Sequence, residues 1–142
     1  MDMEYFKNKV KNFRKEEWIL GKEAFTLKED KNIVLKLTDK KIRIEDDMLS
    51  DSVWDDFFDK YNIEYIISAK IYYKEMEFEV PLTLFETKGV IIPFAEGAKL
   101  INEFSEHEYE IAKAFSVENN KLNEFNKIME GYKIYSEEKS HH

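Results

Sequence analysis

The residues that could do acid–base or metal chemistry surround one histidine. His107 lies in the segment SEHEYE (105–110), with Glu103, Glu106 and Glu110 close by in sequence. On a helix, side chains three or four positions apart face the same way, so His107 and a neighbouring glutamate could share a divalent ion. The HExxH spacing of zinc sites is absent, and the terminal His141 and His142 are typical of a purification tag. We therefore expect a solvated helix face with a lone histidine and no metal.

Nucleophilic and nucleotide chemistry lack their usual sequence signals. The chain has no cysteine, which excludes disulfides, thiolate metal sites and a cysteine nucleophile. Its four glycines, at 21, 89, 97 and 131, stand too far apart for a GxGxxG or Walker loop. The 30 Asp and Glu residues are so frequent that no catalytic pair can be singled out. We expect a protein that is not an enzyme and holds no cofactor.

The distribution of charge is the most informative feature of the sequence. The chain carries a net charge of −8, and residues 45–59 contain seven acidic side chains without a lysine or arginine. On a predicted helix over 51–61, every fourth position is an aspartate, while aromatic residues occupy another face. We expect this acidic surface to bind a protein partner with a basic patch. The predicted contact residues are Asp47, Asp51, Trp54, Asp55, Asp56 and Asp59.

Direct binding to nucleic acid or to a membrane is not expected. The overall acidity repels phosphate, and the 22 basic residues include only two arginines, Arg14 and Arg43, to read bases. No apolar run reaches the roughly 20 residues of a bilayer-spanning helix. The first 15 residues lack the apolar core of a signal peptide, so we expect a cytoplasmic location. The lysine-rich, arginine-poor composition favours a bacterial or phage origin.

Hydrophobic periodicity indicates which elements position these residues. Met3, Phe6, Val10 and Phe13 recur at helical spacing, which predicts a helix over 2–17 that continues through 18–20 to a stop at Gly21. Strands are then predicted at 25–27, 33–37, 42–44, 63–73, 77–86 and 90–94, with turns at 29–32 and 38–41. Pro81 lacks an amide hydrogen, so it predicts an edge position or a bulge. From residue 98 onward we expect two or three helices, broken near 116–120 and ending by Gly131.

This element order predicts an α+β fold. We expect a mostly antiparallel sheet of about five or six strands, with an N-terminal helix, a short middle helix and C-terminal helices on one face. Residues 1–131 would form one domain, and 132–142 a frayed tail with a tag remnant. A half roll of strands closed by a C-terminal helix is the alternative fold.

The function expected from these observations is protein binding without catalysis, as an inhibitor, an immunity protein or an accessory protein of a phage or mobile element. A different alternative is a small-ligand carrier, or an enzyme working in a cavity between the sheet and the C-terminal helices. Tyr65, Phe78, Phe104 and Phe115 could line that cavity, although filling the core is the more common role of such aromatic residues. A third alternative is a structural subunit that forms a homodimer.

Overall fold

The architecture is that of an α+β protein, as predicted. A computed structural model describes residues 3–44, 59–93 and 106–140. The helices are α1 (Met3–Lys11), α2 (Glu106–Glu118) and α3 (Leu122–Ser140). The strands are β1 (Trp18–Leu20), β2 (Ala24–Leu27), β3 (Ile33–Arg43), β4 (Tyr65–Tyr73), β5 (Met76–Thr87) and β6 (Val90–Pro93). Within the described ranges, no helix is both long enough and apolar enough to cross a bilayer.

The strands form an antiparallel meander. Their order in the sheet is the order of the chain, so each strand pairs with its sequence neighbours. Phe25, Leu35, Ile71 and Phe78 lie opposite one another in a single row across β2 to β5. Because alternate residues of a strand share a face, this register places the apolar positions together on one side of the sheet.

Aromatic contacts fix the helices to this apolar face. Phe6 of α1 lies with its ring centroid 4.7 Å from that of Phe78. Phe115 of α2 stacks on Phe25, with centroids 3.9 Å apart and ring planes at 15°. The side chains of Phe6, Phe25 and Phe115 are fully buried. Each buries roughly 150–250 Å² of aromatic surface, so these contacts contribute much of the apolar stabilisation of the fold.

The first strand corrects the predicted N-terminal helix. Helix α1 ends at Lys11, and Trp18 pairs with Leu27 in the ladder between β1 and β2. Trp18 is buried, with its ring centroid 6.1 Å from that of Phe13. A strand of three residues is too short to show an alternating pattern, so helical periodicity upstream concealed it. Gly21 therefore lies in the connection between β1 and β2 and does not end a helix.

The predicted turn at 38–41 is instead an irregularity inside one long strand. Leu37 pairs with Ala69 and Lys41 pairs with Ile67, so β3 advances four residues while β4 advances two. A bulge of this kind lets the strand bend without ending. Its consequence is that Lys41 lies opposite the buried Ile67, on the face that the helices cover, while Ile42 is exposed.

A second irregularity, in β5, contains Pro81. Thr83 pairs with Ser68 and Glu79 pairs with Lys70, so the intervening residues of β5 outnumber those of β4. Proline has no amide hydrogen to give to a ladder, and a bulge removes the need for one. The predicted bulge at Pro81 is confirmed.

The last helix continues beyond the predicted end at Gly131. Helix α3 runs to Ser140, so Gly131 is not its end. Gly131 lies against the side chain of Tyr61, and a Cβ there would collide with the Tyr61 hydroxyl. The glycine allows Tyr61 to pack closely against the helix. In a sequence, such a packing glycine cannot be distinguished from one that ends a helix.

One hydroxyl joins helix α2 to β6, the last strand of the described sheet. Ser116 is fully buried, and its Oγ accepts a hydrogen bond from the Ile91 N–H and donates one to the Ile91 C=O, both at 2.9 Å. Those two backbone groups point away from β5, on the side of β6 where no other described strand pairs. Ser116 therefore supplies the donor and acceptor that a further strand would otherwise provide.

Replacing Ser116 with alanine should lower the stability of the protein. The substitution leaves a buried N–H and a buried C=O without partners, at a cost of about 1–3 kcal/mol for a lost buried hydrogen-bonding group. The free energy of unfolding, measured by urea denaturation, should fall by that amount in Ser116→Ala. The control Ser68→Ala removes an exposed hydroxyl and should change stability by less than about 0.5 kcal/mol. Equal effects would show that Ser116 does not hold the helix.

Candidate ligand site

The acidic surface predicted from the sequence lies almost wholly outside the described residues. Asp47, Asp51, Trp54, Asp55 and Asp56 all fall in the range 45–58, of which the structure describes nothing. Asp59 is described: it is exposed and lies in a helical turn that ends at Tyr61. Because only Asp59 of the six predicted contact residues is described, their arrangement is not tested, and the acidic surface stays a prediction.

The described residues instead show a buried carboxylate, that of Glu86. Along β5 the alternating positions Val80, Leu82 and Leu84 are buried on the face that the helices cover, and Glu86 is the next residue in phase. The side chain of Glu86 is only 8% exposed. A charged residue in phase with an apolar stripe is the sequence signal that could have revealed this site.

Only one oxygen of Glu86 is fully engaged by the protein. Its Oε1 accepts a hydrogen bond from Lys41 Nζ at 3.0 Å and another from the Gly89 N–H at 3.3 Å. Its Oε2 is buried and has no hydrogen-bond partner among residues 3–44, 59–93 and 106–140. A buried polar atom without a partner costs about 1–3 kcal/mol, and native proteins keep few of them. The unpartnered Oε2 therefore marks a place where a donor from outside the chain would improve the structure.

Glu86 borders an open cavity, which we call the Glu86 pocket. Its volume is about 250 Å³. The walls combine apolar side chains with opposite charges, and the lining includes Lys22, Glu23, Leu37, Lys41, Glu86 and Ile91. Two lysines and two glutamates thus line the same space as the apolar residues Leu37, Ile67 and Ile91. Ligand sites in proteins commonly combine an apolar lining with a few placed polar groups.

Backbone features of three elements position the pocket. The irregularity in β3 places Lys41 beside Glu86, and the Lys41 ammonium also lies 5.5 Å from the centre of the Tyr65 ring. The turn between β5 and β6 has a positive φ at Lys88 and at Gly89 (47° and 87°). Asn119, just after α2, holds this turn through a hydrogen bond from its Nδ2 to the Gly89 carbonyl at 3.0 Å.

The aromatic residues considered as a cavity lining are divided between the core, the edge of the Glu86 pocket and the part of the chain that the structure does not describe. Phe78 and Phe115 pack in the aromatic contacts of the core, as described above. Tyr65 pairs with Glu86 across β4 and β5 and therefore lies next to the Glu86 pocket. Phe104 lies outside the described residues. The cavity is lined mainly by charged and aliphatic side chains, which the aromatic pattern did not indicate.

Comparison with protein-family models, curated proteins and solved structures finds no match to this chain. The function therefore has to be argued from the geometry of the sites themselves.

The single histidine predicted on a helix face lies in the first turn of α2. His107 is half-buried, and among the described residues no group of three metal-ligating side chains comes together. Burial lowers the pKa of His107 below its ordinary 6.5; the nearby Lys11 acts in the same direction, and Glu108 partly opposes them. Its imidazole is thus favoured in the neutral form when the protein is folded.

Because the pKa of His107 is lower in the folded protein, the unfolded chain takes up a proton first as the pH falls. The contribution of His107 to stability is complete above about pH 6.5, and it is lost as the pH falls from there through the lower folded pKa. The wild type should therefore lose more stability than His107→Gln between about pH 7 and pH 5. Urea denaturation at several pH values measures this difference. Parallel pH profiles for the two proteins would contradict the assignment.

Proposed function

We propose that the protein binds a small ligand in the Glu86 pocket. The observation that carries this proposal is the buried, unpartnered Oε2 of Glu86 beside an open cavity of about 250 Å³. A carboxylate that served only the fold would gain from full pairing or from replacement by an apolar side chain. A carboxylate with one unpartnered oxygen fits a binding site in which the ligand supplies the missing hydrogen-bond donor.

The charges around the pocket indicate the class of ligand. Lys22 and Lys41 lie on the same cavity as Glu23 and Glu86, so the lining has no net charge. A molecule with an ammonium or amide donor for Glu86 and a carboxylate for the lysines would match both signs. The cavity is smaller than the roughly 300–1,000 Å³ of drug-sized sites, which favours a ligand the size of an amino acid. We therefore infer a small zwitterion.

Lys41 would act as an exchangeable partner of Glu86. Its side chain is 42% exposed, whereas that of Glu86 is 8% exposed, so the lysine can move toward solvent and the carboxylate cannot. An ammonium group on the ligand would donate to both carboxylate oxygens of Glu86: it would replace Lys41 Nζ on Oε1 and give Oε2 a partner. Lys41 would then be available to the ligand's carboxylate. The loss of one ion pair is then compensated by the formation of two.

Binding of α-amino acids, followed by isothermal titration calorimetry, tests this proposal. The simple amine and the simple carboxylate that correspond to each amino acid serve as half-ligands, and both should bind more weakly than the intact molecule. Glu86→Gln keeps the shape of the side chain but removes its charge, so the affinity should fall about 10-fold to 100-fold, as for a lost charge-assisted hydrogen bond.

The matched control is Glu79→Gln, which changes an exposed glutamate of the same strand that is out of phase with Glu86. It should bind like the wild type. The double variant Lys41→Met with Glu86→Leu replaces the ion pair by apolar side chains and should stay folded without binding. Equal binding by the wild type and by Glu86→Gln, or binding of no amino acid to the wild type, would refute the proposal.

A second candidate function is recognition of a basic protein partner by residues 45–59. It is favoured by the seven acidic side chains of that segment and by the exposure of Asp59 at its end. Such a surface would steer a cationic partner to the protein, as an inhibitor or immunity protein would require. Asp47, Asp51, Asp55, Asp56 and Asp59 would meet the partner, with Trp54 as the apolar anchor.

Charge reversal tests this second function. The triple variant Asp51→Lys, Asp55→Lys and Asp59→Lys should retain less partner in pull-downs from a cognate lysate, and the remaining binding should depend less on salt. Reversal of three acidic residues elsewhere, Glu16, Glu75 and Glu130, keeps the same net charge and should have a smaller effect; all three are exposed. Unchanged capture by the first variant would exclude the acidic segment as the contact surface.

A further inference from the structure

Four lysines converge on a second cavity, which we call the lysine cleft. It lies on the other side of the turn between β5 and β6 and has a volume of about 400 Å³. The cationic side chains at its wall are Lys60, Lys88, Lys121 and Lys127, and Glu124 is the carboxylate among its lining residues. This concentration of positive charge is unexpected in a chain whose net charge is −8.

The lysines of the cleft are not neutralised by the described part of the chain. Ion pairs within 4.0 Å are found there for Lys9, Lys41 and Lys70, and for none of the four cleft lysines. Positive charges that line one space repel each other, and water and salt weaken this repulsion at exposed positions. The cleft therefore has a positive potential that an anion would relieve.

The backbone holds these side chains from separate directions. Lys88 occupies the turn between β5 and β6 with φ of 47°, and Lys121 lies in the connection between α2 and α3. The alkyl chain of Lys121 passes over Gly89, with Cε 3.7 Å from the position that a Cβ of Gly89 would take. The ammonium of Lys60 lies 5.5 Å from the centre of the Tyr61 ring. The lysines thus reach the cleft from four different places in the chain.

The neighbouring polar and apolar groups give the cleft a fixed wall. Thr87 Oγ1 donates a hydrogen bond to the Asn62 carbonyl at 2.7 Å, which ties the end of β5 to the segment that precedes β4. Val90 and Ile128 are buried and close the floor. Because this wall is built from strand and helix, the spacing of the lysines is set by the fold as well as by their own flexible chains.

We propose that the lysine cleft binds a soluble anion with two or more phosphate groups. Lysine is a compact point charge that suits phosphate oxygens without demanding the planar geometry of arginine. The four lysines and Glu124 leave the cleft with an excess of three positive charges. One phosphate carries at most about two negative charges near neutral pH, whereas two linked phosphates carry more and can contact lysines of different elements. The site differs from the Glu86 pocket in position and in charge, and its proposed ligand does not depend on the function proposed for that pocket.

Calorimetric titration of the full chain with inorganic pyrophosphate tests the cleft, with inorganic phosphate as the comparison ligand. Pyrophosphate should bind at least about tenfold more tightly than phosphate, and its affinity should weaken as salt rises. Changing Lys88 and Lys121 to glutamine should weaken pyrophosphate binding about tenfold for each charge removed. The four-residue variant, with Lys60 and Lys127 also changed to glutamine, should bind no pyrophosphate detectably.

The control variant changes four exposed lysines elsewhere, Lys15, Lys28, Lys31 and Lys74, to glutamine and so has the same net charge. It should keep at least half of the wild-type affinity. Circular dichroism of each variant verifies the fold, and the double variant carries the test if the four-residue variant does not fold. Equal losses in the control and cleft variants, equal affinities for phosphate and pyrophosphate, or no pyrophosphate binding by the wild type would each overturn the proposal.

Discussion

The attachment of helix α2 to the sheet depends on two consecutive residues that act in different ways. Phe115 stacks on Phe25 in the apolar face, and Ser116 bonds to both backbone groups of Ile91. The aromatic contact provides stabilisation without direction, whereas the two hydrogen bonds fix the height and rotation of the helix. This attachment sets where Asn119 stands, and Asn119 in turn holds the Gly89 turn that separates the two cavities.

Different regions of this protein carry different charges, which the net charge of −8 does not reveal. The Glu86 pocket joins both signs, the lysine cleft is positive, and the segment 45–59 is strongly negative in sequence. A buried group such as Glu86 interacts strongly with what lies beside it, because little water screens it. Surface charges act over about one Debye length and mainly guide the approach of partners. The proposed functions of these three regions therefore call for ligands of three different chemistries.

Much of the fold could be predicted because periodicity reports burial directly. Phe6, Val10 and Phe13 identified the first helix, and the alternation in β4 and β5 identified the centre of the sheet. The prediction failed where packing overrides local pattern. Trp18 belongs to a strand that is defined by its pairing with Leu27. Position 131 is a glycine within a helix because the Tyr61 side chain occupies the space that a Cβ would need. Neither contact can be predicted from the types of the residues next to Trp18 or Gly131 in the sequence.

The sites were harder to predict than the fold, since they depend on residues distant in sequence. Glu86 is one of 30 acidic residues, and its role becomes visible only when the β3 irregularity brings Lys41 to it. Three parts of the chain that lie tens of positions apart supply the cleft lysines: Lys60, Lys88, and the pair Lys121 and Lys127. They meet through the placement of helix α3 against β6. Counting charge along the chain detects a contiguous acidic run and overlooks clusters assembled by topology.

The two outer strands of the described sheet are short: β1 has three residues and β6 has four. Among the inner strands only β2, with four residues, is as short. An extended row of free amides and carbonyls invites another chain to add as a new strand, which is how sheets polymerise into fibrils. Here the ladder offered by β1 is brief, and the middle of β6 is already occupied by the Ser116 hydroxyl. The outer strands of the described sheet therefore offer few free hydrogen-bonding groups to a strand from another molecule.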